Sequence, residues 1–236
     1  MSFKTFLSLL ISVLATGLTG CDNNELPPAP EPPELSQDSD PDEQARSDDP
    51  LKTFAYDCVI NGYVVIDYRN TANAAWIFLP GKTVQLPKAK SASGVKYDNG
   101  EISFFSKGSE AKLMTAEGED HCIVNRKASI YEDAKLRGVD YRATGNEPGW
   151  VLEITGSSMN YLANYGTEKY QFEISGHERE PGSRNVVYSS NSGGNRISVK
   201  ILGETCTDSM SGERFETAVE LSFNDTSYKG CGRGLH

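Results

Sequence analysis

From residue 51 onward, short apolar or β-branched runs alternate with clusters of turn-forming residues. "YVVIDY" (63–68), "AWIFL" (75–79) and "TVQL" (83–86) have strand length, and "NTAN", "PGK" and "DNG" punctuate them. A second series follows: "WVLEI" (150–154), "YQFEI" (170–174), "NVVYS" (185–189), "RISVKIL" (196–202) and "ETAVELSF" (216–223). No window of eleven or more residues shows a convincing helical period, so the pattern predicts an all-β chain. Residues 51–126 read as one unit of six or seven strands, residues 127–136 as a connector, and residues 137–236 as a second β domain. Some seventy residues make a modest core. Closing the first sheet into a small antiparallel β-barrel with a covalent staple is the economical solution.

Within the first unit, "SASGVKYDNGEISFFSKG" (91–108) has the form of a hairpin. Asn-Gly tolerates the positive φ angles of a tight turn, so Asn99 and Gly100 are expected as its two central residues. That register sets Tyr97 against Ile102 and Val95 against Phe104 on an apolar face. It sets Lys96 against Ser103 and Asp98 against Glu101 on the polar face, and Ser93 against Ser106. Ser93 and Lys107 then meet diagonally at the open end, where Gly94 and Gly108 allow the chain to bend. Read from the residues alone, this is a hydroxyl and a cation at a glycine-softened rim. A turn-starting serine beside a solvated lysine is the plainer account.

The chain before residue 51 has another character. Lys4 followed by the apolar run Phe6–Ala15 has the form of a processing signal over residues 1–20, too short to span a bilayer. "LTGC" (18–21) resembles the bacterial lipobox, which implies acylation at Cys21 and a membrane anchor of buried acyl methylenes. Residues 21–50 form a tether. Beyond Cys21 it holds seven of the eleven prolines and ten acidic residues against one arginine, too little apolar surface to fold. Stiff and extended, it reaches up to roughly 90 Å. Asp22 resembles the inner-membrane retention signal of enterobacterial lipoproteins, a rule that differs between bacteria.

Charge and cysteines narrow the classes further. The tether carries a net −9 and Lys4 contributes +1, so residues 51–236 hold only −2 of the chain's −10. That leaves no basic field for nucleic acid. With Cys21 set aside, four cysteines remain in an exported protein, and an even number reads as disulfides. Of three connectivities, the local one is expected: Cys58–Cys122 and Cys206–Cys231. A zinc site using His121 beside Cys122 is the rival, but paired C-x-x-C spacing is absent. The three histidines, His121, His177 and His236, are scattered, and no catalytic triad, phosphate loop or cofactor motif accompanies them. The chain reads as a non-enzyme without cofactor.

"SASGVKY" followed by "FFSKGSEAKL", between Cys58 and Cys122, resembles the membrane-bound and periplasmic inhibitors of c-type lysozyme. The resemblance covers roughly residues 54–126. In that family a Ser-Gly-x-x-Tyr segment precedes an aromatic-Trp-x-Lys-Gly segment on a small antiparallel barrel; here Phe105 stands at the tryptophan position. The resemblance implies a periplasm-facing lipoprotein of a Gram-negative cell whose protein partner is a c-type lysozyme. It assigns lysozyme binding to Ser93, Gly94, Tyr97, Lys107 and Gly108. Ser93 and Lys107 would contact the enzyme's two catalytic carboxyl groups, and Tyr97 would shape the loop.

The second domain carries "GNEPGW" (145–150), "CTDSMSGERF" (206–215) and "GCGR" (230–233), which resemble an uncharacterised β domain of bacterial exported proteins and bring no activity with them. Glu147, Trp150, Asp208 and Arg214 are candidates for a glycan or peptide pocket. The plainer reading makes Trp150 core and 208–212 a polar loop tied by the second disulfide. The alternative function is an envelope module that binds peptidoglycan through Trp150 and exposed tyrosines.

Overall fold

A computed structural model describes residues 52–69 and 72–236. The expected signal segment, Cys21 and the tether lie outside these residues. Eight strands form a closed antiparallel barrel in sequence order: β1 (Thr53–Cys58), β2 (Gly62–Arg69), β3 (Ala74–Leu79), β4 (Lys82–Ala89), β5 (Val95–Asp98), β6 (Ser103–Lys107), β7 (Glu110–Thr115) and β8 (Gly118–Asn125). Eight strands leave an interior that side chains fill. Val64, Ile66, Ile77, Leu86, Phe104 and Leu113 are fully buried there, and the rings of Tyr56 and Phe104 meet edge to face at 5.2 Å. Each such side chain contributes roughly 1.5–3 kcal/mol by leaving water. β1 pairs with β8, and Cys58 stands directly opposite Cys122 in that ladder, where the two sulfurs are bonded. The disulfide therefore staples the seam at which the sheet closes.

The expected six or seven strands are eight because β5 and β6 are short and carry polar residues on their outer faces, which thins the apolar signal. The connector is a larger departure. Residues Arg126–Leu136 form an α-helix, α1, capped by the Asn125 side chain accepting from the Ala128 N–H at 2.9 Å. No helical period announced it because its packed face is partly polar. β8 ends at Asn125, leaving the start of β1 without a strand partner on that side. There α1 takes over. Ser129 Oγ accepts from the Ala55 N–H at 2.9 Å, and Asp133 Oδ1 accepts from Lys52 and Thr53 at 3.0 and 3.1 Å. Buried backbone donors must be satisfied, and here helix side chains satisfy them.

The other side of α1 packs on the second β unit, where Tyr131 and Ala134 join Val139, Phe215, Cys231 and Leu235 in one buried cluster. Arg137 joins the helix to that unit through paired bonds to Glu153 at 2.9 and 3.0 Å and a bond to Asp133 at 2.9 Å. These carboxylates hold the guanidinium firmly protonated, its pKa raised by the Glu153 bonds above all.

The second unit is a nine-stranded antiparallel sheet ordered β12-β11-β10-β9-β19-β18-β15-β14-β13. Its strands are β9 (Tyr141–Asn146), β10 (Gly149–Ile154), β11 (Ser158–Ala163), β12 (Glu168–Glu173), β13 (Glu178–Arg179), β14 (Val186–Ser192), β15 (Asn195–Leu202), β18 (Thr217–Phe223) and β19 (Thr226–Gly234). A separate two-residue pair, β16 (Cys206–Thr207) with β17 (Arg214–Phe215), flanks it. The sheet curls around an aromatic core, and the Ser190 hydroxyl donates to the Glu173 carbonyl at 2.7 Å, joining β14 to the end of β12. The five expected runs correspond to β10, β12, β14, β15 and β18. β19 was hidden by its glycines, although it lies in the middle of the sheet.

Candidate functional site

The β5–β6 ribbon forms, but its register is not the expected one. Val95 pairs with Ser106, Lys96 with Phe105, Tyr97 with Phe104 and Asp98 with Ser103, so the central turn residues are Gly100 and Glu101. Side-chain caps explain the two-residue difference. Asn99 Oδ1 accepts from the N–H groups of Glu101 and Ile102 at 3.0 and 2.8 Å, and Asp98 Oδ1 accepts from Gly100 at 2.8 Å. Asn99 thus works as a capping side chain outside the turn centre, and Gly100 supplies the positive φ of 91°. The observed register also places two buried rings, Tyr97 and Phe104, directly opposite each other inside the barrel. Asp98 forms its ion pair within its own strand, with Lys96 at 2.8 Å, and that bond first and the Gly100 N–H second lower its pKa.

The shift changes who neighbours whom at the open end. β5 begins at Val95 and β6 ends at Lys107, so Ser93–Gly94 and Lys107–Gly108 leave the ribbon side by side. Counting past the last ladder pair sets Gly94 against Lys107 and Ser93 against Gly108. Ser93 and Lys107 are both exposed. Among the described residues neither the Ser93 hydroxyl nor the Lys107 ammonium has a polar partner, although Glu110 stands opposite Lys107 in the β6–β7 ladder. Lys96 and Lys112, on the same wall, are held by Asp98 and Glu119 at 2.8 Å. Lys90, at the start of the same loop, is a further exposed cation that the sequence reading passed over. Its signal was the "KAK" run.

Tyr97 is only 3% exposed, with its ring 5.4 Å from that of Tyr68, so it packs inside the barrel behind the ribbon. Burial raises its pKa. Behind it, Tyr68 Oη lies 3.3 Å from Ser106 Oγ, and burial keeps the Tyr68 phenol protonated far above its ordinary range. Gly94 has a φ of 68° and nests directly on β6: a Cβ there would strike the Ser106 carbonyl and come within 3.0 Å of the Phe105 ring. Phe105, at the position of the expected tryptophan, is therefore the floor of the loop.

Residues 56–121 match the model of the family described as membrane-bound lysozyme-inhibitor of c-type lysozyme. The match spans a little over a quarter of the chain, from β1 into β8, and contains the whole β5–β6 ribbon and its rim. The family is described as one of inhibitors. The nine-stranded sheet lies outside the match. No curated protein and no solved structure matches the chain.

Two rival sites that the sequence offered resolve into structure-holding roles. Cys58, Asp120 and Cys122 lie close together, but the sulfurs are bonded to each other. Burial would raise the pKa of Asp120, yet bonds from Asn61 and Ile60 outweigh it and the carboxyl stays below its ordinary value. Those donors, at 2.7–3.0 Å, fix the turn between β1 and β2. In the second unit Trp150 is 2% exposed and cannot stack on an external sugar. Its indole lies against Gly145 and Gly230, where any Cβ would collide with the ring, so the glycines of "GNEPGW" and "GCGR" make room for it. A cleft of about 470 Å³ runs beside it, lined by Glu147, Glu204, Asp208, Glu220 and Lys229. Arg214 is exposed on β17, outside this lining. Burial would raise the pKa of Asp208, but bonds from Ser211, Asn146 and Met210 outweigh it. Asp208 spends Oδ1 on its own loop and Oδ2 on the Asn146 side chain at the end of β9. Cys206 and Cys231 are bonded beside it.

Proposed function

We propose that the barrel inhibits c-type lysozyme by presenting Ser93 and Lys107 to the enzyme's catalytic cleft. The carrying observation is that both polar tips stand exposed, without internal partners among the described residues, at one end of a single ribbon. The enzyme class works with a protonated glutamic acid and an ionised aspartate in one cleft. A hydroxyl bonds to the first, and an ammonium pairs with the second. The ammonium–carboxylate bond is charge-assisted and contributes roughly 1.5–3 kcal/mol once formed away from water, and the hydroxyl bond to the neutral acid roughly 0.5–1.5 kcal/mol. The family match over residues 56–121 supports both the partner and the inhibitory outcome.

The same reading places the protein on a membrane, facing the periplasm, through lipid on Cys21, with the acidic tether as spacer. No helix among the described residues is long and apolar enough to cross a membrane. The barrel then shields peptidoglycan from the enzyme without chemistry of its own. The burial of Trp150 weighs against the glycan-binding alternative.

A turbidity assay with c-type lysozyme tests the proposal. S93A/K107A keeps the parent's thermal midpoint and weakens inhibition at least about tenfold, the equivalent of one lost charge-assisted bond. Unchanged inhibition by the double variant overturns the site; no inhibition by the parent overturns the function.

A further inference from the structure

Ser93 is useful only if it is already where a partner needs it, and it lies in a five-residue stretch, 90–94, outside any strand. Two contacts hold that stretch from opposite sides. From above, the Ser91 hydroxyl donates to the Ser93 carbonyl at 2.8 Å and to the Gly94 carbonyl at 3.1 Å. From below, Gly94 rests on the Ser106 carbonyl and the Phe105 ring, with no room for a side chain. The Ser106 side chain is tied in turn to Tyr68 inside the barrel. The backbone on either side of the Ser93 side chain is thereby fixed before any partner arrives.

We propose that Ser91 is a positioning residue: its hydroxyl clasps the carbonyls of residues 93 and 94 and sets the Ser93 hydroxyl in its binding-ready orientation. The inference rests on the inhibitory reading of this rim. Ser91 touches no partner; it acts through Ser93 by removing the ordering cost that a loose loop meets on binding. The exposed hydroxyl stands four residues before the ribbon, so its removal leaves the barrel core untouched.

The test measures inhibition of a c-type lysozyme by the whole chain as parent, S91A, S91T, S93A and S91A/S93A, together with thermal midpoints and backbone ¹⁵N order parameters for residues 92–95. S91A weakens inhibition about tenfold at an unchanged midpoint and lowers those order parameters. S91T, which keeps the donor, restores both. S91A/S93A inhibits no worse than S93A, because the clasp has nothing left to position. If S91A inhibits like the parent, or if its effect multiplies with that of S93A, the inference is overturned. Should the parent fail to inhibit, the functional reading falls alone. The order parameters then decide the clasp: a drop in S91A supports it, and unchanged values refute it.

Discussion

In the barrel, Gly94 and Gly108 stand at an exposed rim with φ angles of 68° and 62°, next to the hydroxyl of Ser93 and the ammonium of Lys107. In the nine-stranded sheet, Gly145 and Gly230 lie against the buried indole of Trp150. The same residue type shapes a presenting edge in one unit and vacates space for packing in the other. Their hydrogen-bonded carboxylates run in parallel: Asp120 fixes the β1–β2 turn, and Asp208 fixes the 208–212 loop. A motif rich in glycine and acids is thus not by itself a site. What separates the rim from the cleft beside Trp150 is that the rim lies inside the family match over residues 56–121 and the cleft lies outside it.

Removing the disulfides separates the two units most strongly. Cys58→Ser with Cys122→Ser frees a loop of sequence separation 64 and opens the barrel seam; on chain entropy it costs about 4 kcal/mol. Cys206→Ser with Cys231→Ser frees a separation of 25 and costs about 3.5 kcal/mol. Chemical denaturation reads both losses. The first pair of substitutions also abolishes inhibition near the barrel's new midpoint, while the second leaves it within about twofold under native conditions, because distant sites act independently. Equal loss of inhibition from both would break the division of roles.

Asp120 gives the next effect. D120N trades several bonds to a charged acceptor for weaker ones and lowers stability at neutral pH by about 2 kcal/mol. The folded pKa lies below the unfolded one, so the carboxylate's contribution is complete above the unfolded value of about 3.9 and is lost as pH falls through the folded value. Denaturant midpoints between neutral and strongly acidic pH show a fall in the parent that is smaller in D120N. Parallel curves would remove Asp120 from the account.

The smallest effect sharpens the rim. F105W widens the ring beneath Gly94 at a partly exposed position and tightens inhibition about threefold, in line with an added aromatic contact of ~0.6 kcal/mol. Weakened inhibition would show that the indole displaces the loop instead of bracing it.

Apolar alternation made the barrel and five strands of the second sheet legible in the sequence, and local pairing of the cysteines is what the structure has. Strands β9, β11 and β13 of that sheet went unread, and three further features escaped for physical reasons. α1 packs on β1 through Ser129 and Asp133, polar residues that carry no hydrophobic period. β19 gives up side chains at Gly230 and Gly232 so that Trp150 and Tyr141 fit, and so reads as loop. The β5–β6 register turned on Asn99, whose side chain caps the turn from outside. At the rim, the family resemblance pointed to Ser93 and Lys107, whereas the hydrogen bonds of Ser91 to the carbonyls of residues 93 and 94 needed the loop's path.

The most direct test of the central claim is a double-mutant cycle by calorimetry, pairing K107A with a c-type lysozyme whose catalytic aspartate is changed to asparagine. Direct contact predicts a coupling of at least about 1.5 kcal/mol, the lower range for close interfacial charge pairs. Additive losses with no coupling would mean that Lys107 does not meet that carboxylate, and the proposed mode of inhibition would be wrong.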